Sequence, residues 1–519
     1  MLSLVTVCAG GRAAAAVALG ASESPRSARG SRHVTVEFGV EHQVIDNFGA
    51  SDCWRMQKIG AWSDESKNRI ADLLFSPTEG IGLSCWRFNL GGGLDYEHMG
   101  ADSWRTVETF EVDEGKYDWT RQAKERWFLG AATARGVAQF VAFCNSPPGR
   151  MTRNGRTFCT DKEGSTNLKE GYEGQFARYL GDVLQFFHEN PDESQRIDFD
   201  WVSPINEPQW PWIGGGQEGC RASNRDIKTI VLALHKELRQ RGLKTNILVP
   251  ESGSIYGMRA GHRECLRWYG EKYGDYLDEF CGDPAVNDKL GNVICSHSYG
   301  FDKVPELLVP QRLKFREKLD EYPGWRYWMT EYCVMQGPEN QGGGGRDLTM
   351  KTALDVARVI HYDLTVCNAS AWQWWTAVSA ADYKDGLIYT DYHKEGDPET
   401  IYPAKLLWAF GNYSRFIRPG AKRVELQGAD DVYGLLGSAY KSAAGDEIAI
   451  VFINMAETEA RVSLKIEGLP KGKAVNFLTP HVTSEKDDLR AYPPVVPGAD
   501  YVVPGRSAVT LIGALIDAS

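Results

Sequence analysis

The 519-residue sequence lacks several features that mark common functional classes. No internal stretch approaches the roughly 20 consecutive apolar residues of a membrane-spanning helix, and no run of basic residues stands out in a chain whose net charge is −11. Nucleic acids and other anionic polymers attract basic surfaces, so they are poor partners for this chain. We therefore expect neither a membrane nor a nucleic acid as partner, and a neutral substrate fits better.

Motifs for metal binding and for serine nucleophiles are also missing. The sequence has no Cys-x-x-Cys or His-Glu-x-x-His pattern, so we predict no metal site and no cofactor. The turn at residues 251–254, Glu-Ser-Gly-Ser, lacks the first glycine of a Gly-x-Ser-x-Gly elbow, which argues against an esterase. Eleven cysteines leave ten beyond Cys8, a number that permits disulfides. Cys159 and Cys220, both in glycine-rich loops, are the candidates for one, and buried thiols are expected at Cys53, Cys85, Cys144, Cys295 and Cys333.

Two short motifs each place a glutamate at the end of an apolar, strand-like run. The first is Ser-Pro-Ile-Asn-Glu-Pro-Gln-Trp at residues 203–210, and the second is Trp-Met-Thr-Glu-Tyr at residues 328–332. Cleavage of an acetal needs one carboxylic acid to protonate the leaving oxygen and a second carboxylate to attack the anomeric carbon or to activate water. Either Glu207 or Glu331 alone could be an ordinary strand-end charge. The pair indicates a glycosidase.

The neighbours of the two glutamates suit the same chemistry. Pro208 biases Glu207 toward an extended backbone, and Asn206 could donate a hydrogen bond to a sugar hydroxyl beside the scissile bond. Tyr332 or Tyr299 could hold the second glutamate in its ionised form. A non-catalytic carbohydrate-binding protein would keep the aromatic residues and lose one carboxylate, whereas this sequence has both.

Short apolar runs alternate with longer amphipathic segments along most of the chain, which is typical of parallel β/α units. Helical spacing is clear around residues 176–187 and 227–238, with Asn224 as the N-cap of the second helix, and a third helix is predicted at 347–367. Eight candidate strands indicate a (β/α)₈ TIM barrel. They are residues 45–50, 82–89, 139–144, 199–205, 246–250, 293–297, 326–330 and 369–374.

Active sites of such barrels lie at the C-terminal ends of the strands. Polar and aromatic residues concentrate at those ends in this sequence, and Glu251 is one of them, without an assigned role. Together with a tryptophan of the first motif, they give the candidate substrate-binding residues Asp52, Trp54, Arg87, Asn89, Asn145, Asn206, Trp210, His297, Tyr299, Trp374 and Trp375.

Beyond about residue 416 the pattern changes to alternating strands separated by Gly, Pro and Asp turns, which predicts an antiparallel β-sandwich. The proline-rich stretch 492–504 is expected to be a loop. Residues 33–44 alternate in the same way and should add a strand to the sandwich. We therefore expect a catalytic barrel at residues 45–414 and a side domain formed by residues 33–44 and 415–519.

In an ordered set of short motifs, the sequence resembles glycoside hydrolase family 30. The resemblance covers nearly the whole chain after its first 32 residues. Asn-Glu-Pro alone is shared widely among barrel glycosidases, but the ordered set is specific. It comprises Asp-Asn-Phe-Gly-Ala-Ser at 46–51, Trp-Arg-Phe-Asn-Leu-Gly-Gly at 86–92, Asn-Ser-Pro-Pro at 145–148, Asn-Glu-Pro at 206–208, Ser-His-Ser-Tyr at 296–299, Thr-Glu-Tyr at 330–332 and Tyr-Ser-Arg-Phe-Ile-Arg-Pro-Gly at 413–420.

The resemblance implies a retaining mechanism in which Glu207 is the general acid/base and Glu331 the nucleophile, with their carboxyl groups about 5 to 5.5 Å apart. Arg87, Asn206 and His297, with Tyr299, match positions where relatives orient the nucleophile or hold the sugar. Residues 206–220 look most like the branch that hydrolyses β-1,6-galactan side chains of arabinogalactan proteins. Activity on β-1,6-glucan, or a β-glucosidase, xylanase or β-fucosidase activity, remains an alternative.

Residues 1–32 are rich in Ala, Gly and Ser, which indicates a leader or a disordered lead-in. As a signal peptide it is weak, because no Lys or Arg precedes the apolar part and Arg12 interrupts it. We nevertheless expect a secreted protein, extracellular or periplasmic, because a polymeric substrate is too large to enter a cell, and we expect a monomer. The stretch Gln-Gly-Gly-Gly-Gly at 341–345 is predicted to be a flexible loop that either reshapes the leaving-group side of the cleft or lies on the surface.

Overall fold

The computed structural model describes residues 31–100, 103–302, 304–335 and 342–518. The predicted leader, apart from its last two residues, lies outside this range, as do Cys8 and Gln341. No helix among the described residues is both long and apolar enough to cross a membrane.

A parallel sheet forms the larger part of the molecule, and it closes into a barrel. The sheet's hydrogen-bonded path begins at Asn246–Ile247 and ends at Pro250–Ser252, two short strands separated by only two residues. One stretch of chain therefore pairs with both edges of the sheet and closes the ring. In chain order the barrel strands are Asn47–Ser51, Cys85–Asn89, Gln139–Phe143, Trp201–Ser203, Asn246–Ile247 with Pro250–Ser252, Val293–His297, Arg326–Glu331 and Ala369–Trp374. Each of the eight predicted strands is present, and the fifth is split in two.

Helices and short connections surround this barrel. The α-helices are Met56–Ile59, Asp64–Phe75, Tyr96–Met99, Ala123–Ala134, Glu173–His188, Asn224–Gln240, Ile255–Arg259, Arg263–Tyr269, Leu308–Leu319, Met350–Thr365 and Lys405–Ser414. One π-helical turn lies at Leu277–Cys281, and the 3₁₀ turns are Gly149–Met151, Glu193–Gln195, Asn287–Lys289 and Pro305–Leu307. Small additional strands are Glu111–Asp113, Lys116–Tyr117, Thr376–Ser379, Gly386–Tyr389 and Tyr402–Pro403.

The helix Asn224–Gln240 shows how local sequence sets an element boundary. Its N-cap is Ser223, whose side chain accepts from the amide of Asp226, while the Asp226 carboxylate accepts from the amide of Ser223. This capping box satisfies two amides that the first helical turn leaves free. The predicted N-cap, Asn224, was wrong by one residue, and its side chain instead donates to the carbonyl oxygen of Gly274.

Strand geometry explains why the barrel has an apolar floor and a polar mouth. Trp201 and Trp328 pack at 4.9 Å between ring centroids inside the barrel, among buried residues that include Cys85 and Cys295. Alternate residues of a strand point to the same face. Two residues further along, toward the C-terminal end, Cys85 is followed by Arg87 and Cys295 by His297. The charged residues therefore lie one layer above the floor.

The second sheet confirms the sandwich beside the barrel and corrects two details. Its strand Arg32–Val44 pairs antiparallel with Lys422–Gln427 but parallel with Ala460–Glu467, so the sheet is mostly, not wholly, antiparallel. Residues 492–504 are not entirely a loop, because Asp500–Val503 pairs with Ala460–Glu467. The remaining strands are Leu435–Lys441, Glu447–Asn454, Lys473–Val475, Thr479–Thr483, Arg490–Ala491 and Ser507–Asp517.

Barrel and sandwich are joined by buried polar contacts as well as by the apolar core. The side chain of Asn412, on the helix Lys405–Ser414, donates to the His481 carbonyl oxygen and the Thr510 hydroxyl, each at 3.0 Å. The guanidinium of Arg423 donates to the Asn368 side chain at 2.8 Å. These bonds fix the sandwich against the barrel.

Candidate active site

Glu331 lies at the end of its barrel strand and is held by two donors. Arg87 Nη1 donates to Glu331 Oε2 at 2.9 Å, and the Tyr299 hydroxyl donates to Glu331 Oε1 at 3.0 Å. Arg87 also lies over the ring of Phe143, at 3.7 Å from its centroid, which fixes the plane of the guanidinium. Both oxygens of this carboxylate therefore have a defined direction.

Glu207 faces Glu331 across His297. The Nδ1 of His297 lies 2.8 Å from Glu207 Oε1 and 3.4 Å from Glu331 Oε1. One carboxylate oxygen of each glutamate and a ring nitrogen of His297 all lie within 4.8 Å of one another. The two glutamates, 124 positions apart in the sequence, thus form one buried carboxylate pair.

The backbone at Glu207 differs from the extended conformation expected before a proline. Its φ is 45°, in the left-handed region, and φ at Glu251 is 54°. A residue other than glycine adopts this region at a cost that the surrounding structure must offset. Here the amide of Glu207 donates to the Glu251 carbonyl oxygen at 2.9 Å, and Trp212 Nε1 donates to the Glu207 carbonyl oxygen at 3.0 Å. Tertiary contacts therefore override the local preference imposed by Pro208.

A row of amide side chains leads away from the carboxylate pair. Asn206 accepts from Arg87 Nη2 at 3.1 Å and donates to Asn145, which in turn donates to Asn89, each at 3.1 Å. The backbone amide of Asn89 donates to Asp52 Oδ1 at 2.9 Å. The row brings together residues from four barrel strands or the loops that follow them.

Three polar atoms near this row are buried and have no hydrogen-bond partner among the residues that the structure describes. They are Asp52 Oδ2, Asn89 Nδ2 and Trp54 Nε1. Buried polar groups are nearly always paired in folded proteins. An acceptor and two donors left open together are what hydroxyl groups of a bound sugar could satisfy.

The predicted aromatic residues divide into three groups. Trp54 and Trp375 meet edge to face at 5.1 Å, and Trp210 is 41% exposed beside the Glu207 loop. Trp374 is only 1% exposed, because it packs in the core and donates through Nε1 to the Asp385 carbonyl oxygen at 2.7 Å. Tyr332 is likewise buried, and its hydroxyl donates to Asp302, so Tyr299 is the tyrosine that contacts Glu331.

Glu251 is a third carboxylate in this cluster, which the sequence placed at a strand end without a role. Its side chain is fully buried. Burial alone would raise the pKa of Glu251, but the charge of Arg87 and the hydrogen bond from His297 lower it to about 2. The only sequence signal was its position at the end of the fifth strand.

Burial and neighbouring charges shift the pKa values of His297 and Glu331. Burial opposes the charged form of His297, but the carboxylates of Glu331, Glu207 and Glu251 raise its pKa to about 10. Burial raises the pKa of Glu331, although His297 and Arg87 oppose the rise, and the Glu207 carboxylate adds to it. Two cations therefore face three carboxyl groups in this cluster.

Within the described part of the chain, Glu207, His297 and Glu331 are also the one group whose donor atoms converge as metal ligands would. A metal ion would have to displace the proton that these carboxylates keep on His297, and it would lie beside the buried charge of Arg87. The donor set therefore disfavours a cation.

Two further predictions concern loops around the site. Cys159 and Cys220 are both buried free thiols, so no disulfide joins them in this structure. The described part of the glycine-rich loop, Gly342 to Gly345, is anchored, because the ammonium of Lys384 donates to the carbonyl oxygens of Gly342 and Gly344.

Several known proteins resemble this chain in sequence or fold. The sequence model of O-glycosyl hydrolase family 30 matches residues 31–389. An endo-β-1,6-galactanase of Hypocrea rufa is 24% identical over an alignment of 392 residues, and the match covers 70% of this chain and 71% of the relative. A conserved exported protein from Bacteroides fragilis has a TM-score of 0.80 and 31% identity, covering 93% of this chain and 100% of its own. The catalytic domain of xylanase C from Talaromyces cellulolyticus has a TM-score of 0.68 and 20% identity, with coverage of 93% and 100%. The chain belongs to O-glycosyl hydrolase family 30.

Proposed function

We propose that this glycoside hydrolase is a retaining endo-β-1,6-galactanase in which Glu331 is the nucleophile and Glu207 the general acid/base. The observation that carries the mechanism is the pairing of these two carboxylates across His297, with oxygens within 4.8 Å. Retaining glycosidases have carboxyl groups about 5 to 5.5 Å apart, whereas inverting enzymes leave room for a water at about 6.5 to 9.5 Å.

In the first step a Glu331 oxygen attacks the anomeric carbon while the bond to the leaving oxygen breaks. Glu207 gives its proton to that oxygen, and a covalent glycosyl ester of Glu331 results. In the second step Glu207 takes a proton from water, whose oxygen attacks the anomeric carbon and releases the Glu331 carboxylate. Two inversions at one carbon give net retention.

The contacts support this division of roles. Glu331 receives hydrogen bonds from Arg87 and Tyr299, which favour its ionised form and aim its oxygens. Glu207 lies beside the exposed Trp210, on the side where a leaving sugar could stack. In the same proposal the unpartnered atoms of Asp52, Trp54 and Asn89 bind hydroxyls of the sugar that is attacked.

Galactan as the substrate is supported by the similarity to the Hypocrea rufa enzyme, at 24% identity. We further propose that catalysis resides in the barrel at residues 45–414 and that the protein is a monomer. We also propose that the protein is exported, because the proposed substrate is a polymer outside the cell. The similarity to a conserved exported protein of Bacteroides fragilis is consistent with export.

The test is to incubate the purified protein with debranched β-1,6-galactan, β-1,6-glucan and xylan in parallel. Product sizes are followed by chromatography, and the anomeric proton of the first product is followed by NMR. A ladder of β-1,6-galacto-oligosaccharides that appear first as the β-anomer is the expected result. Release of monosaccharide alone would indicate an exo-enzyme, and activity on another polymer alone would replace the substrate. An α-anomer as first product would exclude the retaining mechanism, and no turnover on any glycoside would indicate a binding protein.

A further inference from the structure

The fully buried Glu251 carboxylate joins the two cations of the site from behind. Its Oε1 lies 3.3 Å from Arg87 Nη2, and its Oε2 lies 3.3 Å from His297 Nε2 and accepts from the Thr330 hydroxyl. Among the described residues, Glu251 and Glu331 are the two carboxylates that contact both Arg87 and His297. Glu251 therefore holds these two side chains on the face opposite to the cleft carboxylates.

Both cations pass this constraint on to the proposed catalytic pair. Arg87 uses its other terminal nitrogen for Glu331, at 2.9 Å, and His297 uses its other ring nitrogen for Glu207, at 2.8 Å. If the His297 ring rotated away from Glu251, its contact with Glu207 would break. If the Arg87 guanidinium rotated away, its contact with Glu331 would break. Glu251 does not need to touch the substrate to affect both of them.

The same contacts fix the charge of the cluster. Arg87 and His297 contribute two positive charges, and an ionised Glu251 neutralises one of them. One positive charge remains for Glu207 and Glu331 together, which matches the proposed pair of one ionised nucleophile and one protonated acid. A general acid and a nucleophile need this unequal state in the free enzyme.

We propose that Glu251 is a positioning residue: it orients Arg87 and His297 and sets the charge that leaves one proton on the pair Glu207 and Glu331. The proposal rests on the proposed glycosidase mechanism. Among the described residues, the groups that face Glu251 include Arg87, His297, Thr330 and the thiol of Cys295, whose Sγ accepts from the Glu251 amide at 3.4 Å. The electrostatic effect of Glu251 on the cleft acts through Arg87 and His297.

The variant Glu251→Gln removes the negative charge and keeps the size of the side chain. Two cations then face only two carboxylates, so the proton on the pair is held less well and is lost at lower pH. We expect kcat to fall about 100-fold, within the range of a lost general acid, and the alkaline limb of kcat/KM to move to lower pH by about one unit or more. A substrate with a good leaving group, which does not need the proton, should recover much of the lost rate. Glu251→Asp keeps the charge and should keep the limb near its original pH.

The control is Glu111→Gln, which removes a buried carboxylate that pairs with Arg150 at 2.6 Å, outside the carboxylate cluster. It should leave both pH limbs unchanged. A folded Glu251→Gln protein with unchanged pH limbs would overturn the proposal, because a merely structural role predicts that result.

A second measurement does not depend on catalysis. The imidazole of His297 is titrated by NMR in protein labelled with ¹⁵N-histidine, and its signal is assigned with His297→Gln. Loss of the Glu251 charge should lower the pKa of His297 by about one unit or more. If the wild-type protein hydrolyses no glycoside while Glu251→Gln still lowers the pKa of His297, the proposed function is refuted and the electrostatic role of Glu251 remains. An unchanged His297 pKa in the variant would refute the role of Glu251 itself.

Discussion

The backbone amide of Glu207 donates a 2.9 Å hydrogen bond to the carbonyl oxygen of Glu251, and both residues have left-handed φ angles. This hydrogen bond helps to offset the cost of the left-handed backbone at both residues. The bond links the loop after the fourth barrel strand to the split fifth strand. The direction of the Glu207 side chain therefore depends on a second strand as well as on its own motif.

Replacement of either proposed catalytic glutamate should separate their roles. Glu331→Gln should abolish turnover, because no carboxylate remains to form the glycosyl ester. Glu207→Gln should lower kcat about 10²- to 10⁴-fold on natural linkages and recover in part on substrates with a good leaving group. Steady-state kinetics on both substrate types checks this. Full activity of Glu331→Gln would sink the assignment.

Removal of the Tyr299 hydroxyl should weaken the nucleophile. It donates to Glu331 at 3.0 Å, and a hydrogen bond to a charged group contributes about 1.5–3 kcal/mol, so Tyr299→Phe should lower kcat/KM about 10- to 100-fold. Loss of a donor to an ionised carboxylate raises its pKa, so the acidic limb of the pH profile should move to higher pH. Tyr327→Phe, which loses a buried hydroxyl contact with Ser296, is the control and should leave that limb in place.

Gly253 lies against the proposed acid. A Cβ at this position would be 2.9 Å from Glu207 Oε1, 2.8 Å from Gln209 Nε2 and 2.6 Å from Trp210 Nε1. Gly253→Ala must displace at least one of these groups, so we expect kcat to fall about 10-fold or more, since misplacement by 1 Å can cost 10²-fold. Gly216→Ala, in the neighbouring loop, has open space around its Cβ and should be active. Equal activity of the two variants would contradict this expectation.

Asp363 and Arg312 form a buried ion pair that supports the barrel. The Arg312 Nε lies 2.7 Å from Asp363 Oδ1, and Ser298 and Trp372 also donate to this carboxylate. Asp363→Asn leaves a buried guanidinium without its countercharge, so the free energy of unfolding in urea should fall by about 3–5 kcal/mol. Asp517→Asn, in an exposed pair with Lys473, should leave it nearly unchanged, because solvent screens the pair.

His361 should make stability depend on pH. It is 4% exposed, and its Nδ1 has no partner in the described structure. Burial, with a smaller effect of Arg423, lowers its pKa to about 3. Between that value and its ordinary pKa of about 6.5 the unfolded chain binds a proton that the folded protein excludes, so stability falls as pH falls.

The size of this effect at pH 5 is about 2 kcal/mol relative to neutral pH. Urea denaturation at pH 7 and pH 5 should show that His361→Gln loses less stability on acidification than the wild type, by about that amount. The same loss in both proteins would show that His361 is protonated without cost in the folded state.

The sequence by itself determined the types and positions of the elements. Period-two and helical spacing are local properties, because each follows from the geometry of one strand or helix. They predicted the eight barrel strands, the sandwich and the strand ends that carry Glu207 and Glu331. The predicted cap Asn224 in place of Ser223 is wrong by one residue, since neighbouring polar residues can cap a helix equally well. The predicted helix at 347–367 begins three residues later, at Met350, and ends at Thr365.

Only the tertiary structure decided which side chains meet. The Arg87–Glu331 contact joins residues 244 positions apart, and closure of the barrel through the split fifth strand is what brings Glu251 against both cations. Local preference also failed where long-range contacts were stronger, as at Glu207, whose backbone is left-handed despite the following proline. Trp374 was predicted to bind substrate but is buried, because spacing along a strand does not reveal what packs against the strand's end.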